Sequence, residues 1–424
     1  MTVTRSLLIA VLVGTLVAAA RADSAGVLPV PGSFCAPVIH GTAAPQVLIA
    51  SDFPLRFFSF RDKTLNFQRA IEYVLRRRHF RAGRFAVGYQ ACDDSSPQAG
   101  SGAFAKCASN ARAYAADASV VGVIGTWNSG CSEAELPILN AAKGGAVALV
   151  SPTNTDVALT HAGGGTARNE PRRYYPTGAR NYARVISPDD AQGVALAMLA
   201  KSLGHRRGFL LDDGSSYGLN VASAIRSAGT KLGLRIVGSR SWSPDQSQFD
   251  KLATAVAAAK PDAVYLSGIE CPDCGALIVA LRRVLPASTV LIAPDGFSTD
   301  DMAKAAGSAA DGFYASTPGL PQDSLPALGR KIEHLYGPPR LGSGGPAYVA
   351  EATDVLLDAI AASDGTRASV SAHLLSVQIR GGIIGSFSFD KHGDPTFNPV
   401  MIFQVRHGKG VLDRVIRPPA SLIP

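Results

Sequence analysis

The stretch Val120–Thr155 reads VVGVIGTWNSGCSEAELPILNAAKGGAVALVSPTNT. Val120–Ile124 and Ala146–Val150 are short apolar runs, rich in β-branched residues and bounded by glycine and proline, the marks of buried parallel strands. Between them Ser132–Ala142 fits a helix, with Ser132 as N-cap and Glu135 three residues on, a capping box. Pro137 lies inside that span, so a start nearer Leu136 is the alternative. Polar residues gather where each strand ends. Gly125-Thr126-Trp127-Asn128-Ser129-Gly130 follows the first and Ser151-Pro152-Thr153-Asn154-Thr155 the second. In an open α/β sheet, ligands bind beyond the carboxyl ends of strands. A helix start beside the first loop offers N–H groups and partial positive charge to an anion. Either loop alone reads as ordinary cap and turn chemistry. Together, on consecutive strands, they point to a small polar ligand with a negative end.

The chain has 424 residues, 46% hydrophobic and 17% charged, enough to bury two cores and too apolar for disorder. The net charge of +8 invites a nucleic-acid reading. The arginines are spread along the chain, however, and no basic–aromatic stripe accompanies a nucleic-acid motif. Arg76-Arg77-Arg78-His79 closes a helical pattern, where cations offset the helix dipole, and Arg172-Arg173-Tyr174-Tyr175 reads as a solvated loop. Residues 1–22 have the pattern of a secretory signal: Arg5, the apolar run Ser6–Ala20, and the A-x-A site Ala20-Arg21-Ala22. The rival reading is an uncleaved anchor. The expected location is extracytoplasmic, in the periplasm or at the cell surface.

Six cysteines, Cys35, Cys92, Cys107, Cys131, Cys271 and Cys274, fit an oxidising compartment. The expected pairs are Cys92 with Cys107, closing a Gly/Ser-rich loop onto the next helix, and Cys271 with Cys274 as a structural bridge. The sharper reading of Cys271-Pro272-Asp273-Cys274 is a redox site at a helix N-terminus. A zinc site needs two further ligands and a second C-x-x-C is absent.

Along the chain, 23–45 is an extended Pro/Gly-rich segment. Strands are expected at Gln46–Ala50, Phe85–Tyr89, Tyr182–Ile186, Gly208–Leu211, Arg235–Ser239, Ala263–Ser267 and Val290–Ala293. Helices are expected at Leu65–Arg78, Cys107–Asp117, Asp190–Leu203, Leu219–Leu232, Phe249–Ala259, Gly275–Val284 and Tyr348–Ala362. Phe313–Ala315 starts a return crossing, and Gly385–Asp390 with Val400–Val405 forms a closing pair. Strand–helix alternation means parallel sheets with right-handed crossovers. The Gly/Arg/Pro stretch Thr160–Asn181 breaks the composition and carries no motif. The expected fold is α/β, with two Rossmann-like lobes built on parallel central sheets and the cleft between them as the site.

Catalytic signatures are few. Gly125…Gly130 is followed by Cys131 rather than a P-loop lysine, and H-E-x-x-H is absent. Gly214-Ser215-Ser216-Tyr217-Gly218 only loosely matches a nucleophile elbow. The chain reads as a binder rather than an enzyme, with no metal and no cofactor.

Taken in order, several motifs resemble the branched-chain amino-acid (leucine/isoleucine/valine) binding proteins of ABC transporters, which share the type I periplasmic-binding-protein fold. The carriers are Val123–Gly130, Val150–Thr155, Ser187-Pro188-Asp189-Asp190-Ala191-Gln192-Gly193, Ser216-Tyr217-Gly218 and Phe389–Asp394, within a similarity running from Gln46 to Val411. The resemblance implies two lobes joined by a three-strand hinge: 46–183 with 318–385, and 184–317 with 386–415, leaving 416–424 as a tail. It implies that Ser129 binds a ligand carboxylate, helped by Thr153 and Thr155. Tyr217 contacts the ligand from the second lobe. Asp273, with Glu270 as rival, pairs with its ammonium, and Trp127 narrows the first loop. It implies a monomer that closes on an amino acid and delivers it to a permease; a sensory module is the alternative.

Overall fold

The computed structural model describes residues 34–56, 61–95, 103–242, 248–269, 274–297, 299–337 and 345–423. The expected signal peptide and the positions Glu270, Cys271 and Asp273 lie outside them.

The first sheet contains β1 (Ile39–His40), β2 (Val47–Phe53), β3 (Arg81–Ala82), β4 (Phe85–Asp93), β5 (Val120–Gly125), β6 (Ala148–Ser151) and β7 (Tyr182–Arg184). Its order is β1-β4-β2-β5-β6-β7, with β3 on β4. The central strands β4, β2, β5, β6 and β7 are parallel. Helices α1 (Arg61–Arg77), α2 (Phe104–Ala116) and α3 (Ser129–Asn140) connect them. Every residue of β2, β4, β5 and β6 is buried. That explains their unbroken apolar runs, since a strand covered on both faces has no polar side to show.

After β7 the chain crosses to α4 (Asp189–Ser202) and a second sheet. This is built from β8 (Arg207–Asp212), β9 (Arg235–Ser241), β10 (Ala263–Ser267), β11 (Val290–Ala293) and β12 (Tyr314–Pro318), with α5 (Ser216–Leu232), α6 (Phe249–Ala258), α7 (Cys274–Val284) and α8 (Thr299–Ala306). The order is β9-β8-β10-β11-β12. A second crossing returns the chain through α9 (Ala327–Tyr336), α10 (Pro346–Ala362) and α11 (Arg367–Leu374) to the first sheet. Buried Val349, Leu356 and Ile360 of α10 share a core with Ile49, Ile124 and Val150. Glycine at 122 permits this: a Cβ there would stand 2.5 Å from Leu356 Cδ1. After the short strands β13 (Gln378–Ile379) and β14 (Phe387–Ser388), a third crossing leads to β15 (Val400–Arg406), antiparallel to β12, and to β16 (Lys409–Ile416), antiparallel to β15, which close the second sheet.

Three expectations need correction. The closing pair of Gly385–Asp390 with Val400–Val405 does not form: Phe387–Ser388 pairs with Gln378–Ile379, and β15 pairs with β12 and β16. The cause is burial, because Phe387 and Phe389 belong to the first core. The cysteine pairing also differs. Cys92 bonds Cys35, not Cys107, and Cys107 bonds Cys131. The N-terminal segment runs antiparallel beside the end of β4, which brings Cys35 opposite Cys92. Cys107 faces inward on α2, where α3 packs against it. On the chain-entropy model the bridges, spanning 57 and 24 residues, contribute about 4 and about 3.5 kcal/mol. Cys274 is also disulfide-bonded. Finally, α3 begins at Ser129, three residues before the expected cap, because Asn128 rather than Ser132 caps it.

Candidate functional site

The carboxyl ends of β5 and β6 are held by a dense polar clamp. Gly125 has φ +148°, and a Cβ there would meet the Asp52 carbonyl oxygen at 2.6 Å. Only glycine accepts that turn without strain. Asn128 Oδ1 accepts the Cys131 N–H at 2.9 Å, starting α3. Replacing Asn128 by alanine is expected to cost about 1 kcal/mol, the usual cost of losing an N-cap. A lowered thermal midpoint with unchanged circular dichroism is the measurement. The Thr153 hydroxyl lies 2.7 Å from the Trp127 carbonyl oxygen and 2.9 Å from that of Thr126. Asn154 Nδ2 donates to Thr126 O at 3.0 Å. Thr153 and Asn154 therefore tie the two loops together. Ser129 Oγ, half-buried, accepts the Asp156 N–H at 3.3 Å.

The Trp127 ring continues an aromatic series, 5.6 Å from Phe67, which in turn lies 5.5 Å from Phe53. Lys63 Nζ stands over the Trp127 ring, 4.3 Å from its centroid, within the range of a cation–π contact. Burial lowers the Lys63 pKa to about 8, against the opposing pull of Asp295 and Glu333.

The second wall is built at the ends of β11 and the start of α5. The Tyr217 hydroxyl donates to Asp295 Oδ1 at 2.7 Å and accepts the Gly296 N–H at 3.0 Å. Gln192 Nε2 donates to the same Asp295 oxygen at 2.9 Å. Burial raises the Asp295 carboxyl and, together with the Asp295 charge, pushes the Tyr217 phenol well up. Asp189, in the first turn of α4, is fully buried, with the Thr155 side chain facing its carboxylate. Its backbone N–H donates to Thr155 O at 2.8 Å. Desolvation, then Asp295 and Asp156, drive its carboxyl well above the usual range.

The two walls meet. Asn220, one turn beyond Tyr217 on α5, donates to Asp156 Oδ1 at 2.8 Å, so Ser129, Asp156 and Asn220 form one continuous series. Lys63 beside Trp127 is electrostatically linked to Asp295 beneath Tyr217. The structure thus brings Trp127, Ser129, Thr155 and Tyr217 to one junction of the two sheets. Behind it, Arg184 donates to Asp394, to Thr160 Oγ1 and to the carbonyls of Asn154 and Asp156.

Residues 88–410 match the periplasmic binding protein family. The chain belongs to that family. Among relatives, the Leu/Ile/Val-binding protein BraC3 of Rhizobium johnstonii is 26% identical over 180 residues, 42% of this chain and 44% of that protein. An amino acid binding protein of Pseudomonas aeruginosa is 24% identical over 178 residues, covering 42% and 43%. The matches to these curated relatives thus span less than half of their length. Among solved structures, the leucine binding protein LivK of Thermotoga maritima superposes with a TM-score of 0.69 at 22% identity, over 88% of this chain and 99% of that one. A Rhodopseudomonas palustris solute binding protein in complex with benzoate reaches 0.63 at 16% identity, over 88% and 96%. These likenesses show the type I fold.

Within this periplasmic binding protein, sequence reasoning missed Lys63 and Asp295, and gave no site role to Asp189 and Gln192 although the motif Ser187–Gly193 contains both. Asp295 was within reach, since Pro294-Asp295-Gly296 leaves the carboxyl end of β11 as the first two loops leave β5 and β6. Lys63 carried no local signal: it follows β2 as an ordinary charge in a helix's first turn. The stretch Thr160–Asn181, without a motif, also acquires a place. Tyr174 and Tyr175 are buried with Leu48, Val123 and Leu139 of the first lobe's core, while Gly164 and Gly165 lie against Ser223 and Asn220 of α5.

Proposed function

We propose that this protein captures an amino acid, or a closely related small carboxylate, between its two lobes outside the cytoplasm and hands it to an ABC-transporter permease, working as a monomer. The observation that carries the reading is the meeting of the Trp127–Ser129 loop with the Tyr217–Asp295 wall through Asp156, Asn220 and Lys63. The hydroxyl of Ser129 and the N-terminus of α3 hold the carboxylate. Tyr217, with buried Asp189 beside it, faces the ammonium end. Asp273 and Glu270 remain in the proposed ligand set from the sequence. The lobes are set at 46–183 with 318–389 and 184–317 with 390–415, which moves the expected break between 385 and 386 past Phe389, a residue of the first core. A ligand that touches both walls only when they approach shifts the hinge toward closure. Micromolar affinity needs about 8 kcal/mol, within reach of a few charge-assisted bonds of about 1.5–3 kcal/mol each.

The test is a thermal-shift panel of the twenty amino acids, their amides, benzoate and short-chain carboxylates, followed by calorimetry. At least one amino acid is expected to raise the melting temperature. Ser129→Ala and Tyr217→Ala are each expected to weaken that ligand roughly tenfold to a hundredfold, the equivalent of about 1.5–3 kcal/mol, with circular dichroism unchanged. A panel without any shift, or variants that bind as tightly as the parent, would sink the reading.

A further inference from the structure

The long segment between β6 and β7 reaches from the first sheet onto a helix of the second. Both of its stems are pinned to the first sheet. Ala158 and Leu159 at its start, and Tyr174 and Tyr175 near its end, are buried with Leu48, Val123 and Leu139. The Tyr175 hydroxyl donates to Leu159 O at 2.5 Å, Arg180 Nη1 to Thr160 O at 2.9 Å, and Asn140 Nδ2 of α3 to Ala179 O at 2.8 Å. Between the stems the chain reads Gly163-Gly164-Gly165-Thr166. Thr166 Oγ1 accepts the Gly163 N–H at 3.0 Å and closes this tip into a turn. The tip lies on α5, whose Val221 and Ile225 are buried with Leu210 and Tyr265 in the core of the second sheet. A Cβ at Gly165 would stand 2.7 Å from the backbone nitrogen of Asn220 and 2.8 Å from its Cα, and one at Gly164 would meet the Ser223 hydroxyl. Neither glycine has a positive φ, so closeness alone demands them. Asn220 carries the contact onward: its Nδ2 donates to Asp156 Oδ1 at 2.8 Å, and the Asp156 N–H donates to Ser129 Oγ.

We infer that Gly164 and Gly165 form a closure strap, which seats on α5 as the two sheets come together and so sets ligand affinity without touching the ligand. The inference rests on the hinge-closing reading proposed above. Tyr217, Asn220 and Ser223 follow one another at three-residue spacing and therefore share a face of α5. The first of them faces the junction, and the next two meet the strap. That face must come within backbone contact of the strap for Tyr217 to reach the junction, so a thicker strap holds Tyr217 away. A methyl group at 165 is opposed by the main chain of a helix, which cannot turn aside as a side chain can. Close-packed surfaces register even one added carbon. Apparent affinity falls with the fraction of the protein that can reach the binding-competent form. Binding therefore weakens although every ligand contact is intact.

The experiment uses the full chain carrying Gly165→Ala or Gly165→Val, with Arg168→Ala, an exposed position of the same segment, as control. The probe is the amino acid with the largest melting shift in the panel above. Affinity is read by calorimetry, dissociation by stopped flow and radius of gyration by X-ray scattering. Gly165→Ala is expected to weaken binding about tenfold and Gly165→Val about a hundredfold, each through faster dissociation. Their ligand-free melting temperatures and circular dichroism are expected to match the parent, and Arg168→Ala is expected to bind like it. Without ligand, Gly165→Val is expected to show a larger radius of gyration than the parent. Hydrogen exchange on the parent, which needs no variant, is expected to slow across 163–166 when the probe is added. Variants that bind as tightly as the parent overturn the inference. So does a variant that melts lower without ligand yet binds unchanged, since the contact would then be a fixed brace, and so does exchange across 163–166 that ignores the probe. A panel without any binder sinks the functional reading instead. The ligand-free scattering then decides, and equal radii overturn the strap.

Discussion

Arg184→Ala is expected to destabilise the fold by about 3–5 kcal/mol, the cost of breaking a buried ion pair on one side only. Arg184 is fully buried at the end of β7, where the chain leaves the first sheet. Its Nε donates to Asp394 Oδ1 at 2.5 Å, and its Nη1 reaches the carbonyls of Asp156 at 2.8 Å and Asn154 at 3.1 Å. Nη2 donates to Thr160 Oγ1 at 2.6 Å. One guanidinium therefore satisfies the loop after β6, the start of the long Thr160–Asn181 segment, and the third crossing. Burial alone would raise the Asp394 carboxyl; Arg184 and His161 instead hold it well below its ordinary value. Without the guanidinium, that charge is left buried with His161 as its remaining cation, and two carbonyls lose their donor. Urea denaturation measures the loss. Arg184→Met combined with Asp394→Leu removes both charges and is expected to recover much of it, since an apolar pair of similar volume replaces a buried ion pair at little cost. An Arg184→Ala midpoint within the scatter of the parent would show that the pair does not hold the crossings together.

The parts of this architecture that depend on neighbours along the chain were legible. Val120–Ile124 and Ala146–Val150 became β5 and β6 because a strand buried on both faces must be apolar throughout. The loops after them carried the polar residues that the junction uses. Contacts between distant segments were not legible. Arg184 and Asp394 are 210 residues apart, and although the motif Phe389–Asp394 carries part of the resemblance, nothing local names Arg184 as the partner of Asp394. Cys92 was paired with the cysteine nearest along the chain, whereas the partner is set by the N-terminal segment lying beside β4. Asn128, not Ser132, caps α3; two good capping residues stood close together, and tertiary contacts chose between them. Ser132 Oγ instead donates to Asn154 Oδ1 at 2.6 Å, within the loop clamp. Glu135, read as half of a capping box, is buried among acids. Local pattern gave its helix correctly and its chemistry wrongly.

Raising the pH from 6.5 to beyond 9 is expected to remove about 3 kcal/mol of stability that rests on His161. His161 Nε2 lies 2.9 Å from Asp190 Oδ2 and Nδ1 lies 3.1 Å from Asp394 Oδ2, so the imidazolium bridges the second lobe's first helix and the third crossing. The side chain is 21% exposed. Burial opposes its charge, but the bonds to Asp190 and Asp394 outweigh it and lift the pKa from 6.5 to about 9. A histidine with a raised pKa in the folded state binds its proton more tightly there than in the unfolded chain. The added stability is therefore complete below the unfolded value of 6.5 and is lost as pH rises through about 9. The shift of about 2.5 units, at about 1.4 kcal/mol per unit, gives the magnitude. Glu351, raised to about 8, and Lys63, lowered to about 8, also titrate in or beside this window. The readout is accordingly the difference between the parent and His161→Gln. Urea midpoints taken from pH 6 to pH 10 should converge as pH rises, with the variant weaker at the acid end. Two curves that stay parallel across the range would mean that His161 carries no proton between those carboxylates. Because the same imidazolium spans two of the crossings, ligand affinity measured over the same range is expected to change in the parent and to stay flatter in His161→Gln.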